Sequence, residues 1–332
     1  MVNGMVNGYD SLELSTQVLI EEALKRGIKV EVLDWNDNFI RLIKDDKVEL
    51  IKQATKTSAD TYIAPLIMEN KEITKHILRE KGINVPKGIS VKSPEEALLN
   101  INIFKEKDLV VKPKSTNFGK GVVILKQLVS TEDLKNAVKF ALEYDDTVMI
   151  EDFIEGMEYR FLVIDNEVPA ILHRVPANVT GDGLKTIEQL VVEKNKDPLR
   201  GEGYKTPLEK IRLGYVEKEY LALQGKDFSY VPQRDETVFL RENSNISTGG
   251  DSIDFTDEVI EEYKKLAINA AKAAGAKICG ADIIIDNIKE APNPSNYSII
   301  ELNFNPALHI HNFPYKGENR HVERYVLKLL GF

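Results

Sequence analysis

Residues 109–122 read LVVKPKSTNFGKGV, and the rest of the chain can be taken outward from them. Val110 and Val111 form a β-branched run that suits a strand, and the run delivers Lys112. Pro113 has no N–H to give a ladder and stops that strand. A small polar loop with Gly119 and Gly121 follows, and Val122 opens a second apolar run to Leu125. Glycines admit positive φ and let backbone N–H groups come close to a ligand. Such groups beside Lys112, Lys114 and Lys120 make a cradle for an anion, most economically a polyphosphate. A hairpin with a solvated, lysine-rich turn fits the same residues equally well, so the decision lies elsewhere in the chain.

The bulk composition narrows the choice. A length of 332 residues suggests about two domains, and 42 % hydrophobic with 29 % charged residues is enough to bury a core. No apolar run approaches the ~18–20 residues of a membrane span, and the N-terminus lacks the basic-then-apolar pattern of a secretory signal. The net charge of −9 argues against a general nucleic-acid binder. It leaves ATP open, because a few lysines and Mg²⁺ can meet that charge locally. Cys279 is the single cysteine, which removes any intrachain disulfide and is read as a small buried hydrophobe. The expected compartment is the cytoplasm.

Along the chain, the tandem MVNGMVNG start is set aside. A helix is predicted over 11–26, stopped by Gly27, and short strands over 28–34, 38–44 and 48–54, with a loop over 55–65. The spacing predicts a helix over 71–81 with Ile73, Ile77 and Leu78 on its apolar side. Lys75 falls off that stripe and, alone, reads as a solvated lysine. Helices follow over about 94–102 and 131–144, the latter capped by Ser130 or Thr131. Val148, Met149 and Ile150 form a strand that runs into Glu151, Asp152, Phe153, Ile154 and Glu155 and breaks at Gly156. That pattern suits a hinge whose backbone can recognise a base edge, or a strand that merely surfaces. Segments 158–165 and 167–174 form a hairpin about Asp165 and Asn166, with Glu158, Arg160, Leu162 and Ile164 on one face. The polar stretch 175–236 reads as a helical insertion or lid. A strand at 238–241 leads into the small-residue loop ENSNISTGGDSID. A long helix is predicted over 255–275, capped by Thr256, and strands over 278–286 and 297–305 complete an α+β chain.

The late strands carry the chemistry. Asp282 interrupts an apolar run, and Glu301 and Asn303, two apart, project from one face. If the two strands pair, three oxygen donors converge. Buried carboxylates need a partner, and an oxygen-only set suits Mg²⁺; pairing with Arg241 or Arg174 is the alternative. His309 and His311 alternate after Pro306 and would sit two apart on an extended segment, a spacing that can bind metal, but no third nitrogen or sulfur ligand is nearby.

The order of Lys75, Lys112 before the glycine-rich loop, Glu151, and then Asp282 with Glu301-Leu302-Asn303 resembles the ATP-grasp superfamily over about 71–332. More closely, MENKEITKHIL, VVKPKSTNFGKGV, EYRFLVI, LRENSNISTGGDSID and ELNFNPALHIHNFPYKG are similar to the glutathione synthetase module of bacterial bifunctional glutamate–cysteine ligase/glutathione synthetases. The first 60 or so residues also look like the linker and small domain of that module. RVPANVTGDGLKTIEQLV and the STGG loop are shared in style with cyanophycin synthetases.

The resemblance implies an ATP-grasp fold of two α+β lobes clasping ATP, preceded by a small truncated α/β domain, with boundaries near 1–70, 71–155 and 156–332. It implies an ATP-dependent ligase that joins γ-glutamylcysteine and glycine through an acyl phosphate. Lys75 and Lys112 would hold phosphates, and the loop from Ser115 through Gly119 and Lys120 to Gly121 would close over them. Glu151, with Asp152, Phe153 and the backbone near Ile154, would meet adenine, and Glu158 the ribose. Asp282, Glu301 and Asn303 would ligate Mg²⁺, with a second ion on Glu301 and Mn²⁺ as a substitute. Arg241 would stabilise the acyl phosphate and phosphoryl transfer, and Arg160 and Arg174 would take substrate carboxylates. Partners would be small molecules, with a homo-oligomer or a glutamate–cysteine ligase module alongside. A cyanophycin-type ligase and a non-catalytic nucleotide-binding module are the rival readings.

Overall fold

In the structure, a computed structural model, the described residues are 8–104, 107–115, 121–126, 130–203 and 205–332. Helix α1 (Leu14–Lys25) is followed by the meander β1 (Lys29–Asp34), β2 (Phe39–Lys44) and β3 (Lys47–Lys52). The strand predicted to reach residue 54 ends at Lys52, because Gln53 and Ala54 both adopt positive φ (54° and 64°). Helices α2 (Ile63–Glu69) and α3 (Lys71–Glu80) come next, the first beginning inside the segment expected as loop. Asn70 caps α3 by accepting from Ile73 N–H at 3.2 Å.

The burial of α3 is rotated from its apolar stripe. Ile73 is 43 % exposed, whereas Lys71, Thr74, Lys75 and Leu78 are buried. Lys75 is therefore not a solvated lysine; the helix turns its two lysines, one turn apart, into the protein.

The small lobe holds β4 (Gly88–Val91), α4 (Pro94–Leu99), β5 (Leu109–Pro113), β6 (Val123–Leu125), α5 (Thr131–Leu142) and β7 (Val148–Asp152). Its four strands run in the order β4-β7-β5-β6, and their buried face packs on α4 and α5 in a core of its own. Ser130 opens α5 with a capping box, its hydroxyl accepting from Asp133 N–H at 3.1 Å while the Asp133 carboxylate accepts from Ser130 N–H at 3.3 Å.

The hairpin β8 (Met157–Ile164) and β9 (Glu167–Val175) turns at Asp165, whose φ of 54° is one that a short polar side chain tolerates. The insertion that follows is less helical than expected. It contains β10 (Asn178–Thr180), α6 (Ile187–Lys194), β11 (Arg200–Gly201), β12 (Leu208–Glu209), α7 (Tyr215–Leu223) and β13 (Thr237–Phe239) around its own small core. Then come β14 (Asp251–Asp254), α8 (Glu261–Ala273), β15 (Ile278–Ile285), β16 (Tyr297–Asn303), α9 (His309–Asn312) and α10 (Glu323–Leu329). Strands β14-β9-β8-β15-β16 form the central antiparallel sheet.

Two details depart from the sequence reading. Helix α8 starts six residues after the predicted Phe255, and Thr256 does not cap it. The Thr256 hydroxyl accepts instead from Ile171 N–H at 2.9 Å, tying the turn to β9. His309 and His311 lie on the short helix α9 rather than on an extended segment.

The cores divide the chain in an unexpected way. One face of the central sheet packs on α8 and also on α2 and α3, through Ala64, Met68 and Leu78. The other face packs on α1, the N-terminal meander and α10. Residues on both sides of the expected boundary at 71 thus share a core with the large lobe. No helix among the described residues is long and apolar enough to cross a membrane.

Candidate active site

Glu151 lies on the central strand of the small lobe, opposite Gly88 on one side and Val110 on the other. Lys112, two residues beyond Val110, shares the face of Glu151. A Cβ at Gly88 would lie 2.7 Å from Glu151 Cγ, so glycine alone leaves the carboxylate room to reach across the sheet. Glu151 Oε1 accepts from Lys75 Nζ, and its Oε2 takes Lys112 Nζ at 2.9 Å. Lys75 and Glu151 are each 2 % exposed. Burial opposes the Glu151 carboxylate, but the charges of Lys112 and Lys75 overcome it and its pKa is lowered. Burial, reinforced by the Lys112 charge, lowers the pKa of Lys75. For Lys112 burial acts in the same sense, yet Glu151 prevails and its pKa is raised. Two lysines thus meet at one carboxylate, with Glu301 acting on Lys112 as well. Lys71 Nζ, one turn earlier on α3, is 3.3 Å from Glu301 Oε1, and Lys114 Nζ is 2.9 Å from Glu72.

Asp282, Glu301 and Asn303 lie on paired strands, but Asn303 turns its amide nitrogen to Asp282 and Glu301 reaches Lys71. Strands β15 and β16 pair antiparallel with Asp282 opposite Glu301, and Asn303 Nδ2 donates to Asp282 Oδ2 at 3.2 Å. Across the other edge of β15, Asp282 faces Arg160. Arg160 Nη2 donates to Asp282 Oδ2 at 2.8 Å and its Nε donates to Oδ1. Arg174 Nη2 reaches the same Oδ2 at 3.0 Å and also Glu158 Oε1. Ser244 Oγ donates to Glu158 Oε2. A Cβ on Gly280 would lie 2.9 Å from Arg160 Cδ, so a glycine again clears the path of a charged side chain. Burial opposes both ionised groups here; the Asp282 charge raises the pKa of Arg160, and Arg160 with Arg174 lowers that of Asp282.

These contacts bear on the expected roles. Asp282 pairs with Arg174, the alternative left open by the sequence, and with Arg160, while Arg241 is held elsewhere by the buried Glu217. Arg160 and Arg174 are engaged by Asp282 and Glu158 rather than presented free. Among the described residues no group of three or more His, Cys, Asp or Glu side chains is placed to hold a metal, so an ion here needs the Asn303 amide as a third donor. The set of two carboxylates and one amide oxygen fits a hard cation; an ion on Asp282 would compete with the two arginines.

The segment expected at adenine has its first N–H groups occupied, Asp152 N–H by Lys87 O at 2.9 Å and Phe153 N–H by Asp108 O at 2.8 Å. The Asp152 carboxylate takes Lys107 Nζ at 3.0 Å, and Lys126 Nζ sits 4.7 Å from the centroid of the Phe153 ring. In the glycine-rich loop Ser115 N–H donates to Asp145 at 2.7 Å, and Gly121 has φ 72° with no space for a Cβ beside Pro113 and Tyr144. Gly119 and Lys120 lie outside the described residues.

Sequence reading missed Gly88, Gly280, Lys71, Glu217 and Ser244. Lys71 had a signal, since it precedes Lys75 by one helical turn. Glu217 had one too, three residues after Gly214, whose N–H it accepts at 2.8 Å.

Two family models match the chain, an ATP-grasp-like domain over residues 10–63 and the ATP-grasp (A) domain of phosphoribosylglycinamide synthetase over residues 69–175. The glutathione biosynthesis bifunctional protein of Clostridium perfringens is 57 % identical over 323 residues, spanning 97 % of this chain and 42 % of that protein. Its namesake from Desulfotalea psychrophila is 51 % identical over 326 residues, 98 % of this chain and 42 % of that protein. The crystal structure of a bifunctional glutathione synthetase from Pasteurella multocida superposes with a TM-score of 0.77 at 46 % identity, covering 99 % of this chain and 45 % of that one. The chain therefore spans less than half the length of these relatives. It has the ATP-grasp fold.

Proposed function

We propose that this ATP-grasp chain is an ATP-dependent carboxylate–amine ligase that joins γ-glutamylcysteine to glycine, giving glutathione, ADP and phosphate. The observation that carries the reading is 57 % identity across 97 % of the chain to a glutathione biosynthesis protein. The site is consistent with it. Lys75 and Lys112 hold the phosphates, and Glu151 keeps both side chains in place. The loop from Ser115 to Gly121, with Gly119 and Lys120, would serve to cover the phosphates. The edge of Glu151, Asp152, Phe153 and Ile154 takes adenine, and Glu158 takes ribose.

Mg²⁺ on Asp282, Glu301 and Asn303, as one ion or two, would neutralise charge on the transferring phosphoryl group. The substrate carboxylate attacks the γ-phosphorus, ADP leaves, and glycine's amine displaces phosphate from the acyl phosphate. Arg241, which Glu217 holds away from Asp282, would act on the developing charge only after leaving that pairing, in a reaction that runs on positioning and electrostatics. Arg174, whose buried Nε has no hydrogen-bond partner, is the better placed of the two arginines for a substrate carboxylate; Arg160 orients Asp282. A closed loop excludes the water that would hydrolyse the acyl phosphate. The chain would act in the cytoplasm, beside a fused or separate glutamate–cysteine ligase module.

The test is ADP release from the isolated chain. Release is expected only with γ-glutamylcysteine, glycine and Mg²⁺ together; equal release without either amino-acid substrate overturns the reading.

A further inference from the structure

Two turns far apart in sequence share a backbone conformation that a side chain with a Cβ takes only at a cost. Gln53 and Ala54, just past β3, have φ of 54° and 64°, and Asn305, just past β16, has φ of 53°. The turns hold each other. Thr55 Oγ1 donates to Asn305 Oδ1 at 2.8 Å, and Asn305 Nδ2 donates to Gln53 Oε1 at 3.2 Å, so both ends of one amide are spent on the N-terminal loop. Gln53 is itself braced: its Nε2 donates to Glu13 Oε1 at 2.9 Å, and its Oε1 also accepts from Lys56 Nζ.

The grip extends along the chain on both sides of Asn305. Lys56 Nζ lies 5.8 Å from the centroid of the Phe304 ring. On α1, Ser15 Oγ accepts from Leu308 N–H at 3.0 Å and meets His309 Nδ1 at 2.9 Å. Thr55 and Ser15 are both buried, so the two hydroxyls are sheltered from water. Residues 304, 305, 308 and 309 are thus held by elements that all precede residue 57. This strap leaves directly from Asn303, the last residue of β16. On its other side Asn303 is fixed by its register with Gly280. Beyond it β16 ends, and the course of the chain is set by the left-handed Asn305 and its two side-chain bonds.

The Asn303 amide is the third donor that a cation beside Asp282 and Glu301 needs, so the placing of the end of β16 decides whether that donor is in reach. We propose that Thr55 is a positioning residue of the active site: through Asn305 it fixes the end of β16, so that the Asn303 amide and the Glu301 carboxylate together hold a divalent cation. The role of that ion in turnover rests on the ligase reading. The N-terminal unit is then part of the active centre, not a neighbour that only supports it.

The test compares three variants of the full chain. Thr55→Val keeps shape and removes the hydroxyl, Thr55→Ser restores it, and Asn305→Gly keeps the left-handed turn and removes the amide. Mn²⁺ binding in the presence of ADP is read by electron paramagnetic resonance, beside the melting temperature. Thr55→Val and Asn305→Gly are expected to weaken Mn²⁺ binding about tenfold, the scale of losing an outer partner of a metal ligand, and Thr55→Ser to bind within about twofold of wild type. The Mg²⁺ concentration for half-maximal ADP release should rise about tenfold in the first two, with KM for ATP changed by less than about twofold. A contact that only stabilises the fold would lower the melting temperature and leave the metal affinity of the folded chain alone. Wild-type Mn²⁺ affinity in Thr55→Val and Asn305→Gly therefore overturns the proposal, as does a loss in Thr55→Ser equal to that in Thr55→Val, or a wild-type chain that binds no Mn²⁺. Should Thr55→Val fold poorly, Asn305→Gly carries the test. The ligase reading fails separately: a wild-type chain that binds Mn²⁺ with ADP yet releases no ADP from ATP with γ-glutamylcysteine and glycine removes the ligase, and the Mn²⁺ affinities still decide the role of Thr55.

Discussion

The lysine cluster of the small lobe and the arginine cluster of the central sheet bury similar groups and balance them differently. Lys75 and Lys112 both take Glu151, with Glu301 acting on Lys112 as well, and burial beside a second cation lowers the Lys75 pKa to about 7. Arg160 and Arg174 meet Asp282 and Glu158, and the charges cancel. The first arrangement attracts an anion. The second is balanced in charge, although Arg174 Nε is left without a partner, and a cation on Asp282 would compete with its arginines. Side by side, they differ in what a ligand would do there: an anion would complete the first, and a cation would rearrange the second.

The difference is broken most strongly at Glu151. Glu151→Gln would leave two buried lysines with no carboxylate, and truncating one partner of a buried ion pair removes about 3–5 kcal/mol. Urea unfolding should show a loss of that size; a change below about 1 kcal/mol would mean the lysines are not held as described. Next is Glu301→Gln, at a side chain 26 % exposed and outside the arginine pairs. Turnover is expected to fall at least about a hundredfold, the scale of losing one electrostatic element of a site, with stability changed by less than about 1 kcal/mol. Near-normal kcat would move the metal away from β16.

The smallest effect concerns His311, which is 0 % exposed with neither ring nitrogen hydrogen-bonded. Burial, aided by the Arg160 charge, pushes its pKa down from 6.5 to about 3. The unfolded chain takes up that proton near pH 6.5 and the folded chain does not, so stability present above that pH is lost as pH falls toward 3. The slope is up to about 1.4 kcal/mol per pH unit. His311→Phe should flatten the unfolding free energy between pH 6.5 and 5 by that amount; an unchanged slope would show His311 to be accessible when folded.

Much of this was legible in the sequence. Period-two alternation put Glu301 and Asn303 on one face, and the two antiparallel partners of β15 supplied the rest. The β8–β9 hairpin followed from its Asp-Asn turn, and the lysine before the glycine-rich loop was placed on its strand. The α3 face was not legible, because an apolar-stripe rule assumes that helices bury carbon, whereas a cleft buries the charges it uses. Gly88 and Gly280 were silent for another reason. Each matters through the residue on the neighbouring strand, and register between distant strands is not written in local composition. The pairing of Arg160 with Asp282 was hidden in the same way, whereas Arg174 was one of the two arginines the sequence left open as a partner.

The core assignment of α3 gives the Lys75–Glu151 pair a mechanical meaning. Lys75 rides on a helix anchored to the central sheet, while Glu151 and Lys112 ride on a sheet with an independent core. The two bodies cannot part without stretching this ion pair. It is a latch between lobes, and any anion that takes over Lys75 as a partner loosens it at the moment the anion arrives.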